Sequence, residues 1–347
     1  MKVGILGGGQ LAQLLAHSAY SLGLETLCFV ENTDVPAARF SSLYLGSFDN
    51  TEALKNFAKQ CDVITLENEN IASDVLASLS EYKPVLPKQE IIQHIQDRWH
   101  EKVLLQTLNI PTTRFVQVDS LYDLQAAIEN IGLPAFLKTR RFGYDGKGQV
   151  LLKESHAAAK AWEAINQVPA ILEACVPFEE EVSLIGARNA AGETVCYPLI
   201  KNTHALGILR VSENPFINPA LQTLAEQFMH VLFKALDYIG VLTIEFFVKN
   251  KQLLVNEIAP RVHNSGHLTI EGFNVSQFEL HLRSVLNLPL PKLVLRANTK
   301  MINIIDDFPL LTKQNYQNAH IYCYGKLARP GRKLGHITQF IYSGDAL

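Results

Sequence analysis

The stretch Val241–His267, VLTIEFFVKNKQLLVNEIAPRVHNSGH, decides how the rest of the chain is interpreted. Two runs rich in β-forming residues, Val241–Val248 and Leu253–Glu257, flank the polar residues Lys249–Gln252. This arrangement predicts a β-hairpin. The residues after it, Arg261–His267, form a dense polar cluster without hydrophobic periodicity, so we expect a functional loop directly behind the second strand.

Two glutamates of the hairpin are candidate metal ligands. Glu245 and Glu257 are symmetric about Lys251, so a hairpin with an odd loop centred on that lysine sets them opposite each other. Like charges about 5 Å apart destabilise a strand pair. A hard divalent cation reverses this effect, because carboxylate and amide oxygens are its preferred ligands, and Asn256 offers one more oxygen. The alternative is a solvated hairpin with acidic residues placed by chance; the adjoining polar cluster favours a site for a metal and an anion.

Composition narrows the class of protein. The 347 residues suffice for two or three domains, and with 48% hydrophobic and 19% charged residues the chain is typical of an ordinary soluble protein. A net charge of −3 argues against a nucleic-acid partner. The five scattered cysteines form no CxxC pair, which fits a reducing compartment. No apolar run approaches membrane-spanning length and no signal peptide is recognisable, so we expect a cytoplasmic protein without membrane contact.

The first ninety residues alternate strand and helix patterns, which predicts a doubly wound parallel sheet. A helix beginning near Leu11 ends at Gly23, where a glycine stops it. The remaining candidates are strands at Lys2–Leu6, Glu25–Val30, Leu43–Leu45 and Asp62–Glu67, and helices at Thr51–Lys59 and Ser73–Ser80.

The turn after the first strand has an ambiguous motif. Gly7-x-Gly9-x-x-Ala12, with Glu31 about 20 residues further on, matches the dinucleotide-binding fingerprint and suggests an NAD-dependent oxidoreductase. A weaker interpretation is a phosphate held at a helix N-terminus, and a purely structural tight turn is also possible. Glu67 and Glu69 end another strand, at the sheet edge where such folds bind ligands.

The middle of the chain contains a glycine-rich segment. The apolar strand Pro134–Lys138 ends in a lysine, and Thr139–Gln149 then combines three glycines with cationic residues. It lacks the Walker spacing, but such a turn can fold over a polyphosphate as a flap. A flexible hairpin tip with solvated lysines is the alternative. Further on, Glu181–Gly186 and Thr194–Ile200 read as one antiparallel pair joined around residues 189–192.

Taken together, these features resemble the ATP-grasp superfamily. A lysine after a strand, a glycine-rich flap, a hinge glutamate and paired acids on a hairpin occur here in that family's order. Within the superfamily, GYDGKGQ (143–149), Glu181-Val182-Ser183, NEIAPRVHNSGH (256–267) and RPGRKLGH (329–336) resemble the 5-(carboxyamino)imidazole ribonucleotide synthase family of purine biosynthesis. The resemblance runs from Met1 to about His336.

The resemblance implies an α/β ATP-grasp fold with an N-terminal doubly wound parallel-sheet domain and a small antiparallel C-terminal domain. The implied divisions are 1–93, 94–290 with a flap subdomain at about 110–175, and 291–347. It also implies an ATP-dependent carbon–nitrogen ligase: ATP phosphorylates bicarbonate to carboxyphosphate, which carboxylates 5-aminoimidazole ribonucleotide. A homodimer is implied as well.

The same resemblance implies a role for each matching residue. Glu245 and Glu257 would hold Mg²⁺ (or Mn²⁺), while Arg261, His263, Asn264 and Asp145 would act in catalysis, the first three on bicarbonate and carboxyphosphate. Residues implied for ATP are Arg98, Lys138, Gly143, Tyr144, Asp145, Gly146, Lys147, Gly148, Gln149, Glu173, Ala174, Cys175, Val176, Glu181, His204, Asn256 and Glu257. Residues implied for the ribonucleotide are Gly9, Gln10, Glu67, Tyr144, Asp145, Arg332 and Lys333.

Two other classes stay open at this point. An oxidoreductase would bind NADH and not ATP. A nucleotide-binding regulator without activity would bind ATP without turnover, although it would be expected to have lost Lys138, Glu245 or Glu257.

Overall fold

The computed structural model describes residues 1–143, 146–308 and 318–341. The N-terminal part is a parallel four-stranded sheet with strand order β3-β2-β1-β4. Its elements are β1 (Lys2–Leu6), α1 (Gln10–Ser21), β2 (Glu25–Val30), β3 (Ser42–Leu45), α2 (Thr51–Ala58), β4 (Val63–Leu66) and α3 (Ser73–Ser80). Two helices, α4 (Gln89–Ile95) and α5 (Arg98–Thr107), lead out of it. The predicted parallel sheet is confirmed. Its strand topology sets Gly7, after β1, beside Glu67, after β4.

A second, antiparallel sheet of four strands follows in the order β5-β8-β6-β7. Its elements are β5 (Phe115–Val118), α6 (Leu121–Ile131), β6 (Ala135–Thr139), β7 (Gln149–Leu152), α7 (Ala158–Ala164) and β8 (Ala170–Ala174). The two helices pack on the sheet through a core of their own that includes Leu124, Leu137 and Trp162. The turn between β6 and β7 is the predicted flap.

Over the described ranges, the largest sheet has nine strands, all antiparallel, along the path β14-β13-β9-β11-β12-β15-β17-β16, with β10 on β9. Its strands are β9 (Glu180–Arg188), β10 (Thr194–Cys196), β11 (Ile200–Ala205), β12 (Ile208–Asn214), β13 (Gly240–Lys249), β14 (Gln252–Ala259), β15 (Thr299–Ile305), β16 (Ala319–Cys323) and β17 (Lys333–Phe340). The helices α8 (Pro219–Ala235), α9 (Thr269–Gly272) and α10 (Gln277–Val285) complete this part. Over the described ranges, the helices are too short or too polar to cross a membrane.

The segment Thr194–Ile200 is not the single strand that we predicted. β10 ends at Cys196 and β11 begins at Ile200, and both pair with β9. The break contains Pro198, which has no N–H to donate to a strand ladder. The side chains on either side of it, Tyr197 and Leu199, are fully buried.

The strands after residue 290 extend the large sheet, because β15 pairs with β12. A division near 290 therefore separates strands of one sheet. The domain boundaries at 93 and 290 stay a proposal.

The hairpin β13–β14 pairs Glu245 with Glu257, as predicted, but the loop is different. Its turn is the two residues Asn250 and Lys251, both with positive φ (50° and 61°), the backbone of a tight hairpin turn and not of an odd loop. That turn alone would set Glu245 opposite Asn256. A β-bulge beside Phe246 shifts the register by one residue and restores the pairing of the two glutamates.

Candidate active site

The two hairpin glutamates differ in their partners. Glu257 Oε2 lies 3.0 Å from Arg98 Nη1, on the first turn of α5, whereas Glu245 Oε1 lies 3.2 Å from His263 Nε2. Burial opposes ionisation of both carboxylates. At Glu257, Arg98 outweighs burial and lowers the pKa to about 2, while at Glu245 the charge of Glu257 adds to burial and raises the pKa to about 7. The protein therefore compensates the negative charge of Glu257, through Arg98, but not that of Glu245.

The donor set around this pair fits a magnesium ion. The Oδ1 atom of Asn256, the extra residue of the bulge, is buried and has no hydrogen-bond partner among the described residues. Those residues include no group of three or more His, Cys, Asp or Glu arranged for a metal. Mg²⁺ needs no such group, because it is usually held by one or two carboxylates together with waters and substrate phosphates.

Lys138, at the end of β6, belongs to a buried cluster of charges. It donates to one oxygen of Glu173, and the other oxygen lies 3.0 Å from Lys102 Nζ. Thr113 Oγ1 also donates to Glu173, at 3.1 Å. The two lysines outweigh burial and hold the pKa of Glu173 well below its usual range. The Glu173 carboxylate is thus engaged within the protein, and the adjoining residues Ala174, Cys175 and Val176 run from the end of β8 toward the large sheet.

The flap lies against two other parts of the site. A Cβ built on Gly143 would be 3.4 Å from Arg98 Nη2, so the flap base covers this guanidinium. At the tip, Gly146 packs on the turn between β11 and β12, where a Cβ on Gly207 would come within 2.6 Å of the Gly146 Cα. Gln149 pairs with Lys138 on the neighbouring strand, and Gly148 has φ +70° beside Thr139. The predicted residues Tyr144 and Asp145 lie outside the described part of the chain.

Glu181 and His204 face each other on neighbouring strands, β9 and β11. The His204 Nδ1 atom lies 2.9 Å from Glu181 Oε2. Burial disfavours protonation of His204, but Glu181 outweighs it and raises the pKa. This pair borders the hairpin acids, since the charges of Glu245 and Glu257 also act on His204.

Arg261, His263 and Asn264 are each fixed by a different partner. Arg261 makes a two-point ion pair with Glu69, with Nη2 3.0 Å from Oε1 and Nε on the other oxygen. Burial, with the nearby charge of Arg261, lowers the pKa of His263 to about 3, so this imidazole is neutral. Asn264 and Asn303 exchange two amide hydrogen bonds of 3.1 and 2.6 Å. The loop is therefore rigid, with one fixed cation and one neutral imidazole.

The glycines of the N-terminal turn make room for Glu67. Its carboxylate accepts hydrogen bonds from the backbone N–H groups of Gly9 (2.5 Å) and Ala12 (3.0 Å) at the start of α1. A Cβ on Gly7 or Gly9 would come within 2.7 Å of Glu67 Oε1. A protein carboxylate thus occupies the helix N-terminus that a dinucleotide pyrophosphate would need.

A basic cavity of about 220 Å³ opens beside this turn. Its polar lining comprises Gln10, Lys147, Lys326, Arg329, Arg332 and Lys333. Lys326 donates a hydrogen bond to the Gln10 side chain, which joins the two ends of the chain. Lys147, which we expected at ATP, lies on this cavity. Five cations around so small a volume suit a phosphate group.

Comparison with known proteins identifies the family. The chain matches the ribonucleotide synthetase preATP-grasp domain over residues 1–96, the ATP-grasp domain over 103–278 and the phosphoribosylaminoimidazole carboxylase C-terminal domain over 299–346. It is 43% identical to N5-carboxyaminoimidazole ribonucleotide synthase of Pseudomonas aeruginosa over 97% of this chain and 94% of that protein. The chain belongs to the N5-carboxyaminoimidazole ribonucleotide synthase family.

Solved structures of this synthase family have the same fold. The enzyme from Thermus thermophilus superposes with a TM-score of 0.92 at 42% identity, covering 98% of this chain and 93% of that one. A relative from Aspergillus clavatus, in complex with ADP and 5-aminoimidazole ribonucleotide, superposes with a TM-score of 0.88 at 30% identity and the same coverage. The resemblance and the ATP-grasp fold expected from it are confirmed. The alternative of an NAD-dependent oxidoreductase is wrong, and Glu67 explains why its fingerprint misleads.

Sequence reasoning missed three residues that the candidate site brings together, Lys102, Lys326 and Arg329, and the role of Glu69 as the partner of Arg261. Lys102 follows Arg98 by one helical turn, a spacing that could have suggested a shared face. Arg329 lies in the same RPGRKLGH segment as Arg332 and Lys333, whereas Lys326 and Glu69 reach their partners only through the tertiary fold.

Proposed function

We propose that this protein carboxylates 5-aminoimidazole ribonucleotide with bicarbonate and ATP, giving 5-(carboxyamino)imidazole ribonucleotide, ADP and phosphate. The observation that carries the proposal is the succession of three sites. The charge of Lys333, on the basic cavity, acts on both Glu245 and His263. The two hairpin glutamates, the loop Arg261–Asn264 and the basic cavity therefore lie next to one another. The transfer of a carboxyl group between two bound substrates requires this arrangement.

ATP would bind between the flap and the large sheet. Lys138 and Arg98 would contact its phosphates, residues 174–176 would line the adenine, and Glu181 with His204 would hold the ribose. Glu245, Glu257 and Asn256 would hold Mg²⁺, which when bound neutralises charge on the β- and γ-phosphates. Arg98 compensates Glu257 in the metal-free protein, so a metal ion on Glu257 would leave the Arg98 guanidinium available for a phosphate oxygen.

Bicarbonate would bind at Arg261, His263 and Asn264. The Glu69 pair fixes the Arg261 guanidinium, so little reorganisation is needed when negative charge develops on carboxyphosphate. His263, neutral because of burial, can direct its Nε2 atom to an oxygen while its Nδ1 stays 2.9 Å from Ser265 Oγ. We infer that its task is orientation and hydrogen bonding, and that the fixed positive charge comes from Arg261.

The ribonucleotide would place its phosphate in the basic cavity, on Arg332, Lys333, Lys326 and the turn at Gly9 and Gln10. Glu67 would receive the ribose hydroxyls with its remaining lone pairs. The charges of Lys326 and Arg261 both act on Glu67, which supports a place between phosphate and reacting amine. Tyr144 and Asp145 would hold the aminoimidazole. A cytoplasmic homodimer is part of the proposal, and light scattering measures the subunit number.

One assay tests the proposed reaction. ADP release is measured with bicarbonate alone, with 5-aminoimidazole ribonucleotide alone and with both, and the product is identified by mass spectrometry with ¹³C-bicarbonate. We expect full ATP turnover only with both substrates, with one labelled carbon in the product. ATP binding without turnover under all three conditions would instead indicate an inactive nucleotide-binding regulator.

A further inference from the structure

Lys102 is a buried lysine to which the proposed mechanism gives no task. Its side chain is only 1% exposed, on the face of α5 opposite to solvent. Its Nζ atom lies within hydrogen-bonding distance of five oxygens, those of Glu173 Oε1 (3.0 Å), Thr112 Oγ1 (2.8 Å), Thr113 Oγ1 (3.2 Å), and the carbonyls of Val255 (3.2 Å) and Asn256 (2.7 Å). These oxygens come from strand β8 of the four-stranded antiparallel sheet, from the segment that leads into that sheet, and from strand β14 of the hairpin that contains Glu245 and Glu257.

This buried cluster contains more positively charged than negatively charged side chains. Glu173 contributes one negative charge and touches two lysines, Lys102 and Lys138. Glu101, the neighbour of Lys102 in sequence, does not alter the count, because burial raises its pKa to about 8 and keeps it protonated at neutral pH. Burial lowers the pKa of Lys102, but Glu173 opposes that effect, and the five oxygens around Nζ favour the ammonium form. With Lys102 charged, the three groups sum to one positive charge. Of the two lysines, Lys138 lies toward the nucleotide site, with its side chain 11% exposed against 1% for Lys102.

We propose that Lys102 is a positioning residue for ATP, which neutralises Glu173 from inside the protein and so leaves the charge of Lys138 for the nucleotide phosphates. Without Lys102, Glu173 and Lys138 form a closed pair of net charge zero, and a phosphate must compete with the carboxylate for the same lysine. The inference rests on the proposed function, since it assumes that Lys138 contacts ATP. Lys102 also donates to the backbone carbonyl of the bulged residue Asn256. This contact holds the hairpin with the proposed metal ligands at a fixed distance from Lys102 and from the Glu173–Lys138 pair.

The test is a set of variants in which charge and hydrogen bonding change separately. Lys102→Met keeps the length of the side chain and removes its charge. Glu173→Gln added to Lys102→Met removes the charge that Lys102 neutralises. Thr113→Val is the matched control, because it removes hydrogen bonds from the same buried cluster and leaves all three charges. Mg-ATP binding is measured by calorimetry, and folding by circular dichroism and thermal unfolding.

We expect Lys102→Met to weaken Mg-ATP binding by about 10- to 100-fold, the range for a lost charge-assisted hydrogen bond. The double variant should recover at least tenfold of this loss, and Thr113→Val should stay within about threefold of the wild type. A merely structural role for Lys102 predicts the reverse, because the double variant has lost more hydrogen bonds than the single one. No recovery in the double variant, or unchanged binding in Lys102→Met, overturns the proposal.

Two further measurements keep the result decisive. If Lys102→Met does not fold, because removing one partner from a buried charged cluster is costly, the double variant decides alone: it should bind Mg-ATP at least tenfold more tightly than Lys138→Met, and a folded double variant that binds no better than Lys138→Met overturns the inference. Lys138→Met separates this inference from the proposed function. Unchanged ATP binding in Lys138→Met means that the nucleotide site itself is wrongly assigned, whereas weak binding there with normal binding in Lys102→Met refutes only the role of Lys102.

Discussion

Replacing each hairpin glutamate by glutamine should affect the stability of the metal-free protein differently. The pKa of Glu245 rises from an ordinary 4.5 to about 7, through burial and the charge of Glu257. Each pH unit of that rise is worth about 1.4 kcal/mol, so the ionised carboxylate costs on the order of 3 kcal/mol at pH 8. Because the folded-state pKa is the higher one, this cost is absent below pH 4.5, grows up to pH 7 and is constant above it. Glu245→Gln should therefore stabilise the protein at pH 8.

Glu257→Gln should give no such gain. Arg98 stabilises the Glu257 carboxylate, but this side chain is 37% exposed, so solvent screening leaves about 1 kcal/mol for the ion pair. The substitution loses that contribution and relieves repulsion on Glu245, and the two effects offset each other.

The assay is thermal and urea unfolding in EDTA at pH 5 and pH 8. We expect Glu245→Gln to raise stability at pH 8 and much less at pH 5, with Glu257→Gln near the wild type. Mg-ATP at 100 times its dissociation constant should then stabilise the wild type by about 2.7 kcal/mol and both variants by less. The ATP turnover of both variants should be lower than that of the wild type by orders of magnitude. If the two substitutions stabilise the protein equally in EDTA, then Arg98 does not compensate Glu257 in preference to Glu245, and the assignment of this ion pair is refuted.

Three further predictions follow from other contacts. Arg332→Ala should raise the Michaelis constant of the ribonucleotide roughly 10- to 150-fold and spare any bicarbonate-dependent ATPase activity, whereas Arg261→Ala should abolish ATP cleavage; steady-state ADP release gives both, and the opposite pattern would exchange the two sites. Glu101→Gln should stabilise the metal-free protein by an amount that grows from pH 5 to pH 8 to on the order of 4 kcal/mol, because the folded-state pKa of about 8 is the raised one; a pH-independent effect in urea unfolding would contradict this. Gly207→Ala should loosen the flap and speed its hydrogen exchange with Mg-ATP bound, since a Cβ there would meet the Gly146 Cα at 2.6 Å; Gly192→Ala, also at positive φ but with open space around it, is the control.

Local patterns predicted the elements of this fold well, and their pairing less well. β1, β2 and α3 have the predicted bounds, because apolar runs and helical spacing are properties of a few adjacent residues. The hairpin shows the limit. Its two glutamates face each other as expected, yet through a two-residue turn and a bulge. The bulged residue, Asn256, lies on the edge strand β14, where its carbonyl accepts a hydrogen bond from Lys102 and the N–H of Val255 donates to Pro111 O, and periodicity cannot report such contacts.

The candidate site was predictable where one segment contains several of its groups. The cluster after Glu257 is such a segment. The partners of these groups were not, since the Arg261–Glu69 pair spans 192 residues and the Lys326–Gln10 contact 316. The glycine fingerprint misled for the same reason: the group that fills the space at Gly7 and Gly9 is Glu67, on a strand that is distant in sequence.

The distribution of partners among the acids of the site is itself an argument for where a metal binds. Glu173 has two lysines, Glu69 has Arg261, and Glu257 has Arg98. Glu245 differs from these three, because within the described ranges no Lys or Arg lies at ion-pair distance from it. Its nearest basic side chain is His263. That imidazole is neutral, because burial and Arg261 lower its pKa to about 3. His204 and Lys333 offset only part of the cost, since the pKa of Glu245 still rises to about 7. The fold compensates these three acids but leaves the Glu245 carboxylate beside an amide oxygen, Asn256 Oδ1, that has no hydrogen-bond partner among the described residues, so a demand for positive charge remains at that point. We propose that a divalent cation arriving with ATP would meet this demand.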